Sequence, residues 1–208
     1  MVQGQLRGRG ITDPRVLAAM GSVPRHEFVA PGDESFAYDD RAMPIGYGQT
    51  ISQPYMVGLM CQLLEVRPED RVLEVGGGSG YQAAVLGQLA AEVYSIEIVP
   101  ELARRADLTI RRLGYGNVHV IEQDGTLGYP PSGPYQRIII AAAAPAVPEP
   151  LVEQLVEGGR LVAPVGDLRV QTCIVATRNG DELQVEHSIG CVFVPLRGEH
   201  GWHGGSGE

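Results

Sequence analysis

From Arg71 onward, short apolar runs alternate with longer segments of helical period. Arg71 to Val75, Glu92 to Glu97, Asn117 to Ile121, Arg137 to Ala141 and Arg160 to Pro164 read as strands. Between them, Ser79 to Leu89, Pro100 to Leu113 and Glu149 to Val156 read as helices, the last stopped by Gly158-Gly159. The apolar run at Arg137 to Ala141 is that of a central parallel strand covered on both faces. Gln171 to Thr177 and Gln184 to Val194 are two further strands, joined by Arg178-Asn179-Gly180-Asp181. An Asn-Gly pair between two such runs is a strong hairpin signal. The alternation predicts a doubly wound, mostly parallel α/β sheet that closes on an antiparallel hairpin.

The first 64 residues lack this alternation. Asp13-Pro14 opens a helix, with Asp as cap and Pro in the first turn, and Gly21 ends it. Pro54 to Leu64 is a second helix. Between Val23 and Gln53 lie Pro24, Pro31, Pro44 and several glycines, the pattern of a long functional loop or lid. The organisation expected is one domain over residues 1–200, its first 64 or so residues serving the substrate side, and a flexible Gly-rich tail at 201–208.

Composition narrows the functional classes. A 208-residue chain with 44% hydrophobic residues can bury one sizeable core. The formal net charge of −9 argues against a nucleic-acid partner, which needs a basic surface. Cys61, Cys173 and Cys191 are odd in number and widely spaced, which speaks against a disulfide framework or a zinc site. The five histidines show no metal-ligand spacing on one helix, and Gly78-Ser79-Gly80 is not a nucleophile elbow. The start of the chain has no signal-peptide core, and the apolar run Ile138 to Val147 is too short to span a bilayer. A cytoplasmic protein without a membrane partner is expected; with no heptad seam, a monomer is the default.

Candidate chemistry gathers at the first strand–helix junction, Val72-Leu73-Glu74-Val75-Gly76-Gly77-Gly78-Ser79-Gly80-Tyr81. Glycines beyond a strand end let the backbone turn tightly and approach a ligand. A dinucleotide site favours G-x-G-x-x-G, whose third glycine would fall at Tyr81. Gly76, Gly78 and Gly80 instead give G-x-G-x-G, the spacing expected of class I methyltransferases. Glu74 is placed to meet the ammonium of a bound amino-acid group. Glu97, ending the next strand, is placed to accept from ribose hydroxyls. Asp124-Gly125, after the third strand, is either an adenine contact or a plain turn.

Gly46-Tyr47-Gly48-Gln49-Thr50-Ile51-Ser52-Gln53-Pro54-Tyr55-Met56 resembles the signature of protein-L-isoaspartate O-methyltransferases. Val23-Pro24-Arg25, Met43-Pro44-Ile45-Gly46, Val93-Tyr94-Ser95-Ile96-Glu97, Pro164-Val165-Gly166 and Phe193-Val194-Pro195-Leu196 match in the same order. Three places depart: Gly77 stands for a usual Thr, Gln136-Arg137 for Asp-Ala, and Ala141 for Thr. The resemblance implies the seven-stranded, Rossmann-like class I methyltransferase fold. It implies methyl transfer from S-adenosylmethionine, leaving S-adenosylhomocysteine, to the α-carboxylate of L-isoaspartyl residues in damaged proteins and peptides, which starts repair through a succinimide. By the same resemblance Ser52 holds the substrate carboxylate, although Thr50 and Ser52 would also suit capping of the next helix. Gln49, Thr50, Ile51 and Ser52 would line the methyl donor with Tyr55 beside it. Ile45, Val194 and Arg197 fall to the substrate side, within loops Val23 to Gln53 and Val192 to Gly198. Other methyl acceptors, a nicotinamide oxidoreductase (disfavoured by Tyr81), and a non-catalytic binding module are the alternatives.

Overall fold

The computed structural model describes residues 1–180 and 182–202. Seven strands form one sheet: β3 (Arg71–Val75), β4 (Glu92–Glu97), β5 (Val118–Glu122), β6 (Tyr135–Ile140), β7 (Leu155–Gly166), β8 (Gln171–Asn179) and β9 (Glu182–Cys191). Their order across the sheet is β5-β4-β3-β6-β7-β8-β9. The pairs from β5 to β7 are parallel, and β8 and β9 add as an antiparallel hairpin. The chain winds outward from β3 to β5 and then returns to β6 on the other side of β3. That reversal leaves a crevice beyond the C-terminal ends of β3 and β6, where open α/β sheets bind ligands.

The period-2 alternation along each strand splits the core in two. Val72, Val93, Ile139, Val162 and Val175 face a layer made by α1 (Pro14–Ser22), α2 (Pro54–Leu64), α3 (Tyr81–Gly87) and α4 (Pro100–Arg112). Leu73, Ile96, Ile138, Ile140 and Leu161 face the other way. That second face is covered more thinly, by α5 (Glu149–Glu153) and two single 3-10 turns at Gly125–Leu127 and Pro130–Ser132. Cys61, Cys173 and Cys191 are all free and buried.

Several boundaries differ from the sequence expectation. The irregular stretch before α2 contains a small hairpin, β1 (Met43–Gly46) with β2 (Gln49–Ile51). Its turn uses Tyr47 and Gly48, both left-handed, at φ 57 and 70. Asp13 caps α1 as expected, but Gly21 lies inside that helix, which runs on to Ser22. Helix α3 starts only after Gly80. Helix α5 stops at Glu153, because Leu155 already begins β7, and Gly158-Gly159 fall within that strand rather than ending a helix. The β8–β9 hairpin turns at Asn179-Gly180 as expected; Asp181 lies outside the described residues. The first two residues of the tail expected to be flexible are held: Gly201 is buried, and Trp202 donates its indole N–H to the Ala143 carbonyl at 2.9 Å. The rest of that tail, 203–208, lies outside the described residues.

Two residues that depart from the family pattern fasten the fold far from the crevice. Gln136 Oε1 accepts the Arg71 N–H at 2.8 Å. Arg137 Nε donates to the Glu65 carbonyl at 3.1 Å and stands 3.3 Å from Asp70 Oδ2. Arg160 Nε reaches the Leu63 carbonyl at 2.6 Å. The C-terminal carbonyls of α2 are thus met by two guanidinium groups, where the helix dipole favours positive charge. Arg137→Met is therefore expected to lower the unfolding free energy by about 3 kcal/mol in urea titration, since it leaves the buried Asp70 carboxylate without its counter-charge, held only by the Arg67 N–H. An unchanged urea midpoint would show that the pair carries no net stability.

Candidate functional site

At the C-terminal end of β3 the chain makes its sharpest series of turns. Gly76, Gly78 and Gly80 take φ of 86, 55 and 85, a region closed to most side chains. The loop is pinned rather than loose. The N–H groups of Gly76 and Gly77 both donate to the Ile96 carbonyl, at 2.9 and 3.0 Å. Glu97 completes the hold, accepting from Gly78 N–H through Oε2 and from Val99 N–H through Oε1, both at 2.8 Å. Its carboxylate retains acceptor capacity toward the crevice, which it lines.

Glu74 points from β3 into the helical layer and is wholly buried. The parallel register sets Ser95 of β4 directly beside it, and the serine hydroxyl donates to Oε2 at 2.5 Å. The other oxygen, Oε1, has no hydrogen-bond partner, and neither has the buried Nε2 of Gln82 on α3. Burial pushes the Glu74 carboxyl up to about 8 against the Ser95 hydrogen bond, with the Glu97 charge adding to the rise. Gly77 is what leaves room for this arrangement: a Cβ there would collide with Ser95 Oγ. The departure from Thr at this position therefore has a steric consequence, a serine turned onto Glu74.

Three adjoining cavities meet along one segment. The crevice is lined by Gln49 and Thr50, by the strand ends Gly76, Gly78 and Glu97, and by Val194 to Arg197. An inner cavity is lined by Thr50, Ile51 and Ser52 against Glu74, Gln82 and the glycine loop. An outer cavity holds Thr50, Ser52, Tyr55, Arg9 and Arg41 on one side and Ile189 to Phe193 on the other. Thr50 thus borders all three cavities, and Ser52 stands between the inner cavity and the outer one.

Gln49, Thr50, Gly76, Gly78, Glu97 and Gly125 line the crevice, and Ile51, Ser52 and Glu74 line the inner cavity. Gly80 lines neither; its site packs on Ala106 of α4. Tyr55 lies on the outer side, its ring 3.6 Å beneath the Arg9 guanidinium. Ile45, expected on the substrate side, is instead core: it is 1% exposed, packs toward Gly78, and its carbonyl takes a bond from Arg105. Val194 and Arg197 border the crevice rather than the outer cavity. Asp124 is not part of the crevice lining. Its Oδ1 accepts from Thr126 N–H and Oγ1, and its Oδ2 accepts from Glu199 N–H at 2.7 Å, tying down the C-terminal segment. Ser52 does not cap α2. The N-cap is Gln53, and the Tyr55 N–H is taken by Asp40 Oδ1 at 3.1 Å.

Gln82, Ser95, Asp40 and Arg9 were not legible as site residues. Gln82 carries a faint signal, a polar side chain on the otherwise apolar start of α3. The donor set fits a nucleoside that bears an amino acid. An unpartnered carboxylate oxygen and an unpartnered amide N–H face one small cavity, a carboxylate stands at the adjacent strand end, and the glycine turns leave space between them.

A profile of the family described as protein-L-isoaspartate(D-aspartate) O-methyltransferase matches residues 1–201. A protein-L-isoaspartate O-methyltransferase from Methanoregula boonei is 54% identical over 202 residues, covering 97% of this chain and 93% of its own. One from Roseiflexus sp. is 53% identical over 194 residues, covering 93% and 89%. Among solved structures, a protein-L-isoaspartate O-methyltransferase superposes with a TM-score of 0.88 at 28% identity, over 97% of this chain and 67% of that one. A Plasmodium falciparum protein assigned to the same activity, solved with S-adenosyl-L-homocysteine, gives 0.81 at 26% identity, over 94% and 96%.

The raised Glu74 carboxyl has a pH signature. The folded protein keeps a proton that the unfolded chain gives up near the ordinary carboxylate value of about 4.5, so this group's contribution is full below that pH and is lost as pH rises through about 8. Glu74→Gln stays neutral throughout. In urea titrations of the ligand-free protein, its stability advantage over the parent is expected to widen between pH 5 and pH 8, by up to about 1.4 kcal/mol per pH unit. A pH-independent difference would show that Glu74 ionises freely.

Proposed function

The chain belongs to the protein-L-isoaspartate(D-aspartate) O-methyltransferase family, and on that premise we propose how its own residues divide the work of the reaction. The protein methylates isoaspartyl residues of damaged proteins with S-adenosylmethionine, the step that starts their repair. S-adenosylmethionine supplies a methyl group already activated by its sulfonium. In our reading Glu74 and Gln82 hold its amino-acid end in the inner cavity. Glu97 receives the ribose, and Gly76, Gly78, Gln49 and Thr50 shape the crevice around the nucleoside. Gly125, Val194 and Arg197 close the crevice, with Asp124 anchoring the segment that carries Arg197.

The acceptor enters from the outer cavity. The observation that carries this assignment is the shared wall: Thr50 and Ser52 border the outer cavity, and the same two residues reach the inner one. A hydroxyl there can donate to one oxygen of the isoaspartyl carboxylate and leave the other in line with the methyl group. A carboxylate is ionised near neutral pH and needs no general base. Catalysis is therefore alignment of two reacting centres with water excluded. Arg9 and Arg41 at the rim supply local positive potential on a chain of net charge −9. Arg9 is partly neutralised by its ion pair with Asp40. The backbone from Ile189 to Phe193 offers main-chain groups, which suits a substrate class defined by its extra backbone methylene rather than by side chains.

Residues 1–200 act as one catalytic domain in this reading, with the first 64 or so supplying the acceptor wall. Among the described residues no helix is long and apolar enough to cross a membrane. We place the enzyme in the cytoplasm as a monomer without nucleic-acid partners, on its acidic charge and its substrate class.

Labelled methyl from S-adenosylmethionine is expected to pass to an isoaspartyl peptide and not to its aspartyl twin, giving a base-labile ester. Ser52→Ala is expected to lower kcat roughly 10- to 100-fold, the scale of one lost orienting hydrogen bond. Its cofactor Kd should stay within about twofold, because Ser52 only borders the methyl donor while its hydroxyl is given to the acceptor carboxylate. Equal losses in both quantities would return Ser52 to a structural role.

A further inference from the structure

We propose that Arg25 is a positioning residue for methyl transfer, fixing the Ser52 backbone relative to the glycine loop through one buried guanidinium. The proposal rests on the role given to Ser52 above. Arg25 lies in the 3-10 turn Arg25–Phe28 that follows α1, and none of it is exposed. Its Nη2 donates to the Ser52 carbonyl at 2.8 Å, and its Nε donates to the Ala37 carbonyl at 2.7 Å. The guanidinium carbon stands 4.8 Å from the ring centroid of Tyr81. Tyr81 is the first residue of α3, next to Gly80. One planar cation therefore touches the acceptor wall, the loop before β1, and the helix that the glycine loop feeds.

The Ser52 carbonyl has particular need of such a partner. Ile51 is the last residue of β2 and pairs with Met43 in its ladder. The next carbonyl after Ser52, that of Gln53, takes the Val57 N–H as a helical bond of α2. Ser52 falls between strand and helix, so neither element supplies its carbonyl with a donor. An unmet carbonyl in this half-buried place would be costly, and would leave the peptide plane free to tilt. Tilting that plane swings the Ser52 side chain, and misplacement of about 1 Å in a near-attack geometry costs about 100-fold in rate.

An apolar side chain would fill the same volume more cheaply. Burying a guanidinium carries a large desolvation penalty, and Arg25 Nη1 is left without any hydrogen-bond partner. Burial brings the Arg25 pKa down to about 10, so the group stays charged at neutral pH. The charge and fork are retained at a place where packing alone would not require them. What they accomplish is a link between two carbonyls and an aromatic face, which neither Lys nor Met can copy.

The test is a double-mutant cycle with Arg25→Lys and Ser52→Ala, read as kcat on an isoaspartyl peptide, cofactor Kd and Tm. In the parent, Arg25→Lys is expected to lower kcat about tenfold with Kd within about twofold. In the Ser52→Ala background the same change is expected to cost less than about twofold, because the hydroxyl it positions is gone. If Arg25→Lys does not fold, Arg25→Gln, which keeps one amide donor, takes its place in the cycle. Equal kcat losses in both backgrounds would make Arg25 a general brace and overturn the proposal, as would an unchanged kcat in the parent. Full activity of Ser52→Ala alone would instead remove the Ser52 reading, and this proposal with it.

Discussion

The register between β3 and β4 is the constraint on which the crevice depends. Three consecutive residues of β4 each hold one part of what β3 and its loop present. Ser95 bonds the Glu74 carboxylate, the Ile96 carbonyl gathers two glycine N–H groups, and Glu97 catches a third. A slip of one residue would turn Ser95 away from Glu74 and set an isoleucine against it, because side chains alternate faces along a strand. The parallel ladder therefore does more than build a sheet. It transfers the rigidity of the core to a loop of glycines, the residues that lose most conformational freedom when they are fixed.

The acceptor wall depends on a different kind of support. Strand β2 is three residues long, and its hairpin with β1 is slight. Short two-stranded ribbons are marginal by themselves. This one is braced from behind by Arg25 and from the side by Arg105, whose guanidinium reaches the Ile45 carbonyl. Long cationic side chains thus hold a wall that local pairing alone would leave loose. Asp40 serves the same wall from its outer side, accepting the Tyr55 N–H and pairing with Arg9.

The sequence made the parallel sheet legible because its strands are short apolar runs bounded by glycine and proline, and because the β8–β9 turn carries Asn-Gly. It made the glycine loop legible for the same reason: Gly76, Gly78 and Gly80 answer to backbone conformations that other residues avoid. The hairpin β1–β2 was hidden, since Tyr47 is a poor advertisement for a left-handed turn. The end of α5 was misplaced because Leu155 and Val156 continue a helical period while starting a strand. At the site, contacts across long sequence separations were invisible. Nothing local ties Arg25 to Ser52, or Asp124 to Glu199, and a lone charged residue in a loop reads as solvated until its partner is seen. Ile45 sits in a motif of functional residues, but its strand turns it toward the core, a placement that the motif itself does not reveal.

The β8–β9 turn bears on the enzyme's own ageing. Asn-Gly is the pair most open to the lesion this family repairs, because the glycine nitrogen meets little hindrance when it attacks the asparagine side-chain carbonyl. Here that nitrogen, on Gly180, donates to Glu157 Oε2 at 2.9 Å, and Asn179 is paired with Glu182 in the ladder. Arg178 clamps the same turn onto the Val152 and Leu155 carbonyls. Attack at Asn179 thus requires the Gly180 N–H to leave Glu157 and Asn179 to leave its ladder pair, which couples ageing of this turn to local opening of the hairpin.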